Sequence, residues 1–485
     1  MTDDADPLPF APPPQRPTRP RSADWGGKAL LVCALAVLMT IPGMFVWALI
    51  KDRSDRSEGV VAEVSQLQGG TQQVLGPLMI APYVIPATKK DADPVTGWYV
   101  VSPETGTASL DVKADTLRRG IFDVPVYRAT ADINAAFGPR PATTDLPAGA
   151  TVDWTKALIV VGFTDLRGAK SDVVASLTTA TGATRLDFAP ASGVDLGRPN
   201  SRAGADAATR GAEAEADANG VRRFGLVVAP AGALAASPGG GALKARLTFT
   251  GAQRLSVMPF AKSTRVNIAG DWPAPKFDGG FLPETRTLAD GGFKASWSVP
   301  FMARGLAAAG PDALSLSELG NKDLGVTFVR TNNPYQNVMR ALKYAVMFVG
   351  LVFLTFFVFE ALSGSRLHPA QYVLIGLAQM VFYLLLLSLS EYIGFDLGFA
   401  VAAVATVLLI GLYAGAAFKA MRYRIQALVI FTTVYGLIYL LMRLEDFALL
   451  AGSIAAFVGL TAGMWLTRNI DWYGGKAETP SGNAA

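Results

Sequence analysis

The last third of the chain alternates between charged segments and long uncharged runs. The clearest run lies between Arg366 and Glu391, where 24 consecutive residues carry no formal charge. A helix of that length rises ~36 Å, which exceeds the ~30 Å thickness of a bilayer hydrocarbon core. Its four consecutive leucines, Leu384 to Leu387, would make the helix apolar on all faces. The pattern therefore predicts a membrane-spanning helix.

Five further runs are also long and apolar, and one of them contains a single charged residue, Glu360. The first, Ala29 to Ile50, is longer than the ~7–15 residue core of a cleaved signal peptide and predicts an uncleaved signal anchor with a kink at Pro42-Gly43. We therefore expect one N-terminal span at 28–50 and a five-helix bundle at 344–468. The other four runs are Tyr344–Leu362 and those enclosed by Asp396 and Lys419, Arg424 and Arg443, and Asp446 and Arg468.

The segment between the first two spans, 51–343, has a different pattern. It begins with apolar residues at helical spacing, from Val60 to Leu75, which predicts a stalk ending near Gly69-Gly70 or Gly76-Pro77. Short β-rich runs separated by turn residues then predict an all-β sandwich, or two of them. We interpret residues 198–220 as an inserted loop. The predicted strands are Leu78–Val84, Gly97–Val101, Ser109–Val112, Phe122–Ala129, Ala157–Phe163, Arg185–Phe188, Phe224–Val228, Ala245–Gly251, Gln253–Met258, Arg265–Ala269 and Phe293–Val299.

Loop charge predicts the orientation of the chain in the membrane. Residues 1–27 contain seven prolines and several arginines, which predicts a disordered basic tail, and 469–485 form a second polar tail. Basic residues beside spans remain in the cytoplasm. Both termini are therefore expected inside and the β-rich domain outside. The basic loop residues are Arg366, Lys419, Arg422, Arg424 and Arg468, whereas the opposite loops contain Glu391, Asp396, Glu445 and Asp446 with Arg443.

Composition excludes several classes of functional site. The chain has 485 residues, 51% of them hydrophobic, and its mean hydropathy of +0.32 is high for a soluble protein. A net charge of +4 gives no indication of a nucleic-acid partner. With one cysteine, Cys33, and one histidine, His368, the chain lacks the residues for a disulfide framework. It also lacks those for a Ser-His-Asp triad or a multi-histidine zinc site outside the membrane region. No cofactor, metal ion or catalytic residue is expected.

Glu360 is the single charged residue within a predicted span, and such residues are candidates for function. It lies about one helical turn from the cytoplasmic end, within reach of Arg366 or His368. A structural ion pair is the favoured interpretation, and a proton or substrate relay is the alternative. Glu391 begins an acidic rim on the opposite side that could hold a divalent cation, although topology alone would produce it. We take Glu360, Arg366, His368 and Glu391 as the candidate polar residues of the bundle.

Two pairs of glycines at four-residue spacing occur in the fourth and sixth spans. Gly411 and Gly415 form one pair, and Gly459 and Gly463 form the other. Such pairs let helix backbones approach closely. They predict packing within the bundle, with homo-oligomerisation as the alternative.

Several segments of the chain resemble the CreD family, inner-membrane proteins of bacterial cell-envelope integrity. The similarity extends from about residue 52 to 473, while the proline-rich N-terminus and the 198–220 insertion depart from it. The matching segments begin with GPLMIAPY at Gly76, RGIFDVPVY at Arg119 and GGFKASW at Gly291. In the membrane region they are LKYA at Leu342, Phe359-Glu360, RLHPAQY at Arg366, SLSE ending at Glu391, LEDFALL at Leu444 and LTRNIDWY at Leu466.

The resemblance implies one N-terminal span, a large periplasmic domain and a helical bundle in the bacterial inner membrane. It also implies a link to envelope stress, to a two-component regulatory system and to altered tolerance of colicins or β-lactams. It supplies no catalytic residue. The favoured hypothesis is a non-enzymatic protein whose β domain binds an envelope component or an unidentified periplasmic or membrane partner. The alternatives are a transporter or lipid-handling protein that uses the bundle, suggested by Glu360, Gln371 and Gln379, and a membrane-anchored hydrolase.

Overall fold

The computed structural model describes residues 25–87, 94–191, 194, 224–289, 291–311, 319, 321–329, 334–443 and 448–468. The chain forms two compact units. One is helical and combines the two ends of the chain, Met1–Ser54 and Asn333–Ala485, and the other is the β-rich segment Asp55–Asn332. Residues 1–24 of the predicted N-terminal tail, the tail 469–485 and the 198–220 insertion lie outside the described residues. Residues 25–27, predicted to belong to the disordered tail, instead form the first turn of a helix.

The helices follow the predicted runs. Helix α1 ends at Leu38 and α2 begins at Thr40, so the first span is interrupted at Met39, just before the predicted kink at Pro42. Pro42 cannot donate a backbone hydrogen bond, which explains why the helix is irregular here. In chain order the helices are α1 (Trp25–Leu38), α2 (Thr40–Leu67), α3 (Gly232–Ala236), α4 (Phe301–Arg304), α5 (Pro334–Lys343), α6 (Ala345–Ser363), α7 (Pro369–Ile393), α8 (Phe395–Ala417), α9 (Met421–Arg443) and α10 (Ala448–Thr467).

Five helical segments among the described residues are long and apolar enough to cross a membrane. They are Trp25–Leu67, Ala345–Ser363, Pro369–Ile393, Phe395–Ala417 and Met421–Arg443. The sixth predicted span coincides with α10, whose apolar part, Leu450–Trp465, is shorter than the other five. The sixth span therefore stays a prediction.

The β-rich unit is one sandwich of a ten-stranded and an eight-stranded sheet. Buried residues of both sheets share a single apolar core, so the alternative of two sandwiches is wrong. The strands are β1 (Gln72–Ile85), β2 (Val95–Val101), β3 (Thr105–Arg119), β4 (Phe122–Phe137), β5 (Thr151–Val152), β6 (Leu158–Phe163), β7 (Val174–Thr179), β8 (Gly182–Asp187), β9 (Ala189–Pro190), β10 (Gly225–Pro230), β11 (Gly241–Ala252), β12 (Arg254–Val257), β13 (Ser263–Gly270), β14 (Pro275–Gly279), β15 (Thr285–Ala289), β16 (Gly292–Val299), β17 (Ala309–Gly310) and β18 (Leu324–Phe328).

Each sheet contains a parallel pair between strands that are distant in sequence. The ten-stranded sheet has the order β14-β18-β12-β1-β6-β10-β9, with β2, β5 and β17 attached beside this path. In it, β1 pairs in parallel with β12, and Gln72 lies opposite Leu255. The eight-stranded sheet has the order β15-β16-β13-β3-β4-β11-β7-β8, and β13 pairs in parallel with β3. Each sheet is therefore complete only when its parallel pair, β1 with β12 or β3 with β13, has formed.

The segment Gly76-Pro77 interrupts the pairing of β1 with β6. The register shifts between Leu75 and Leu78, which is a β-bulge or similar irregularity. A side-chain carbon at position 76 would overlap the ring of Phe260, which is fully buried. Glycine is therefore required here for close packing, and the proline beside it lies where the ladder is already broken.

Helix α2 runs from the apolar first span into the charged stalk without interruption. Within the β-rich unit, Val61 and Val64 of this helix pack against Val124, Val126 and Ala252 of strands β4 and β11. The helix ends at Leu67, and Gly69 follows with a φ of 92°. A positive φ is accessible to glycine at little cost. The predicted stalk helix and its first predicted end are thus both present.

Candidate functional site

The carboxylate of Glu360 lies fully buried near the end of α6. Lys28 of α1 donates a hydrogen bond from its ammonium group to Oε1 of Glu360 and another, of 2.9 Å, to the carbonyl oxygen of Leu367. The Tyr372 hydroxyl of α7 donates to Oε2 of Glu360 at 3.1 Å. Both carboxylate oxygens are thus satisfied, as a buried charge requires. We call Lys28, Glu360 and Tyr372 the Glu360 cluster.

The partners of Glu360 differ from those that sequence proximity favoured. His368 is exposed and precedes the first residue of α7. Its Nδ1 accepts a hydrogen bond from the backbone N–H of Ala370, and the backbone N–H of His368 donates to Gln371 Oε1. This arrangement is a capping box, with Pro369 at the first helical position. Arg366 is exposed and does not bind Glu360. The expectation of an ion pair with Arg366 or His368 is therefore wrong.

Glu391 forms a second polar cluster near the other end of α7. Its Oε1 accepts a 3.0 Å hydrogen bond from the Tyr335 hydroxyl of α5, and its Oε2 lies 3.7 Å from Nη1 of Arg53. Only 7% of the Glu391 side chain is exposed. We call these three residues the Glu391 cluster. About 29 Å of helix separates Tyr372 from Glu391, so the two clusters mark opposite ends of one span.

The expected acidic rim is divided among separate partners. Asp396 interacts with Arg443 and with the Tyr439 hydroxyl rather than with Glu391. Glu445 and Asp446 lie outside the described residues. Within the described part of the chain, no group of three or more histidine, cysteine or acidic side chains is arranged to hold a metal ion.

The first span therefore has a polar contact at each end, Lys28 in the Glu360 cluster and Arg53 in the Glu391 cluster. Between them, Met39 packs closely against Gly376 of α7, where any larger residue would collide with its side chain. Met39 is 4% exposed, although it lies at the interruption of the helix. The sequence did not indicate this pairing, because Lys28 and Glu360 are 332 residues apart. The available signal was that Lys28 is the last charge before the first uncharged run.

The two glycine pairs pack within the chain. A side chain at Gly411 or Gly415 would collide with Leu428 or Arg424 of α9, respectively. A side chain at Gly463 would collide with Leu354 of α6. These contacts support the interpretation that the pairs serve packing within the bundle.

The outer face of the eight-stranded sheet forms a polar groove of about 590 Å³. Inward and outward residues alternate along its strands, so polar side chains fall into rows that cross the sheet. Arg246 pairs with Asp132 at 2.6 Å, and Ser296 donates to Asn267 at 2.8 Å. One row consists of the directly paired residues Thr285, Ser296, Asn267, Ser109, Asp132 and Arg246.

A partly buried ionic network joins four strands of the ten-stranded sheet. Arg254 donates to Asp323 through two nitrogens, at 2.7 and 3.0 Å, and to Asp278 at 2.8 Å. Gln73 Nε2 also donates to Asp323, and Thr327 donates to Asp278. Burial opposes the charge of Arg254, but the bonds to Asp323 and Asp278 hold its pKa above the ordinary value. With every carboxylate paired, this network has the properties of a structural element.

Arg304 has a different environment in the same unit. It is fully buried and donates to the Pro259 carbonyl oxygen at 3.1 Å and to Ser102 Oγ at 2.8 Å. Its Nη1 has no hydrogen-bond partner among the described residues, and no described carboxylate pairs with it. Burial lowers the pKa of Arg304 to about 10. The desolvation cost of Arg304 is therefore not offset by an ion pair, whereas that of Arg254 is offset by its two aspartates.

Comparison with known proteins identifies the family of this chain. The Inner membrane protein CreD of Escherichia coli (strain K12) is 28% identical over 446 residues, which cover 90% of this chain and 91% of that protein. A family model described as Inner membrane protein CreD matches residues 25–473, from the first helix described above to beyond the last. Because this match covers nearly all of both units, the chain belongs to the CreD family of inner membrane proteins.

Proposed function

We propose that this protein supports cell-envelope integrity without catalysis, through a β domain on the outer side of the inner membrane. The polar groove of the eight-stranded sheet carries this proposal. It presents hydroxyl, amide and charged groups of both signs on a rigid sheet, and such a surface suits a ligand rich in hydrogen-bonding groups. A polar component of the envelope, such as a cell-wall glycan, fits that chemistry.

The position outside the cytoplasm is supported by the distribution of loop charge. The loops that would face the cytoplasm are basic, and those on the other side include the acidic Glu391 and Asp396. This topology exposes the groove to the envelope space.

Site-specific photo-crosslinking in living cells tests the proposal. A photoreactive residue in place of Thr130 or Thr287, which line the groove, should give an adduct with an envelope component. Thr181, exposed in the turn between β7 and β8, is the matched control and should give none. Sensitivity of the adduct to a cell-wall hydrolase identifies a glycan. The absence of an adduct at both groove positions would contradict the proposal.

A genetic experiment tests the same surface independently. In a deletion strain with altered tolerance of detergent, colicin or β-lactam, the paired substitution Asp132→Asn with Arg246→Gln should fail to restore the wild-type response. The pair is largely exposed, so the protein should still accumulate. Full restoration, or an unaltered deletion strain, would count against the proposal.

The alternative of a transporter that uses the bundle has less support. Both oxygens of Glu360 already accept hydrogen bonds, from Lys28 and Tyr372, so the residue resembles a structural anchor more than a relay. Flux or lipid movement in reconstituted vesicles that is lost in Glu360→Gln, at unchanged protein stability, would favour the transporter instead.

A further inference from the structure

An apolar groove of about 390 Å³ opens between the first span and helices α5 to α7. Its volume lies within the range of small-molecule sites, ~300–1,000 Å³. Its walls contain four of the chain's 12 methionines, Met39, Met44, Met339 and Met380. Methionine side chains adapt to irregular, flexible apolar ligands.

The groove exists because one face of the first span carries small residues. Ala36, Thr40 and Gly43 lie along it at helical spacing. A side-chain carbon at Gly43 would meet only Met380, at an ordinary contact distance of 3.7 Å. These small residues therefore leave a space that no neighbouring side chain fills. From Ala36 to Trp47 the groove extends ~16 Å along the helix, which suits an extended chain.

One end of the groove is polar. Lys343, the last residue of α5, lines it and is exposed, and no described residue forms an ion pair with it. Trp47, also on the rim, is 50% exposed, as is typical of a side chain at the membrane–water interface. Helix α5 buries Tyr335, Val338 and Ala341 and has basic residues in its last turn, the pattern of an interfacial helix.

We infer that this groove is a specific binding site for an anionic phospholipid, with one acyl chain among the methionines and the phosphate at Lys343. Charge complementarity selects this occupant: the apolar walls suit an acyl chain, and a lone ammonium at the mouth suits a negatively charged headgroup. The groove between α8 and α9 has a carboxylate, Asp396, among its lining residues, and this carboxylate is paired with Arg443. It therefore lacks a free cation for a headgroup and provides a control.

Photo-labelling of the full-length protein in nanodiscs tests the site. Phosphatidylglycerol with a photoactivatable acyl chain should label the peptides that contain Met44 and Val346 in preference to those of α8. Phosphatidylcholine with the same chain should label them less. Lys343→Gln should reduce this headgroup preference about fivefold, the effect of one lysine near anionic lipid. Lys419→Gln, at the other end of the spans, should leave it unchanged.

A second substitution tests the groove itself. Val346→Trp fills it from an exposed wall position, and Val404→Trp makes the same change at an equally exposed position in the α8–α9 groove, with 53% and 59% exposure. Only Val346→Trp should suppress the labelling at Met44. The inference would be overturned by labelling that is spread evenly over the spans or is insensitive to Val346→Trp. Competition by inorganic phosphate alone would also overturn it.

Discussion

Lys28 and Glu360 are separated by 332 residues in the sequence, yet the lysine ammonium donates a hydrogen bond to the glutamate carboxylate. This contact attaches the first span to α6, and the Tyr372 hydroxyl extends it to α7. Trp25 reinforces the contact, since its ring packs edge-on against Phe357 at 5.8 Å.

Removal of either partner of this pair should destabilise the helical unit. Lys28→Met leaves the fully buried Glu360 carboxylate without its cation, which typically costs about 3 kcal/mol or more. The double substitution Lys28→Met with Glu360→Leu should recover most of the loss, because no unpaired charge remains. Thermal unfolding in detergent measures both, and a double variant as unstable as the single one would contradict this account.

The Glu391 cluster should depend unequally on its two partners. Arg53 is 42% exposed and 3.7 Å from the carboxylate, so Arg53→Gln should cost below ~1 kcal/mol and the effect should shrink in high salt. Tyr335→Phe removes a direct 3.0 Å hydrogen bond and should cost about 1 kcal/mol, with little salt dependence. Thermal unfolding at low and high ionic strength separates the contributions of Arg53 and Tyr335. Equal salt dependence of the two variants would contradict the unequal roles described here.

Two glycine substitutions should have opposite effects. Gly76→Ala places a carbon inside the ring of the buried Phe260, and we expect a loss of at least ~2 kcal/mol. Gly59→Ala, in the stalk helix, meets no atom within 4 Å and should stabilise the helix by about 0.5–1 kcal/mol. Limited proteolysis of the full-length protein compares them. A neutral Gly76→Ala would mean that the close packing against Phe260 is unnecessary.

Removal of Arg254, at the centre of the partly buried ionic network, should destabilise the β domain. Arg254→Met leaves Asp278 and Asp323 without their cation, and we expect a cost of about 3 kcal/mol. Arg246→Met is the matched control: its pair with Asp132 is exposed, so unfolding in urea should change little. Equal effects of the two substitutions would show that the burial of an ion pair does not determine its contribution to the stability of the β domain.

Reporter fusions test the proposed topology. Alkaline phosphatase, which is active only outside the cytoplasm, should be active when fused after Gly251 or Tyr392 and inactive after Ser365, Arg422 or Gly475. The alternation of basic and acidic loops is the physical basis. An active fusion at Arg422 would mean that the fourth and fifth spans are misassigned.

Local pattern predicted the long helices and most of the strands, whereas the short helices α3, α4 and α5 were not predicted. Uncharged length identified the apolar spans, and Gly69 marked the end of the stalk. The strands that were missed are short or lack a long apolar alternation; they are β5, β7, β9, β14, β15, β17 and β18. For example, β15 is exposed throughout, and β14 begins with a proline. They pair with β16 and β18, respectively. Their formation depends on tertiary pairing, which overrides local preference.

The polar contacts were harder to predict than the elements. Arg366 and His368 are close to Glu360 in sequence, but the capping role of His368 at α7 turns its Nδ1 toward the backbone of Ala370. The cation that pairs with Glu360 comes from the opposite end of the chain. Sequence spacing identifies neighbours along one helix, whereas packing between helices decides which buried charges meet.

The parallel pairing of β1 with β12 has a consequence for biosynthesis. Gln72 meets Leu255, roughly 180 residues later, and at about 5–20 residues per second the first strand is made ~10–40 s before its partner. During that interval the first residues of β1, Gln72 to Val74, lack a neighbour on one edge, whereas Met79–Ile85 on the same edge pair with the nearby β2. These residues therefore stay unpaired until β12 has been made, and slower translation would lengthen the period of exposure.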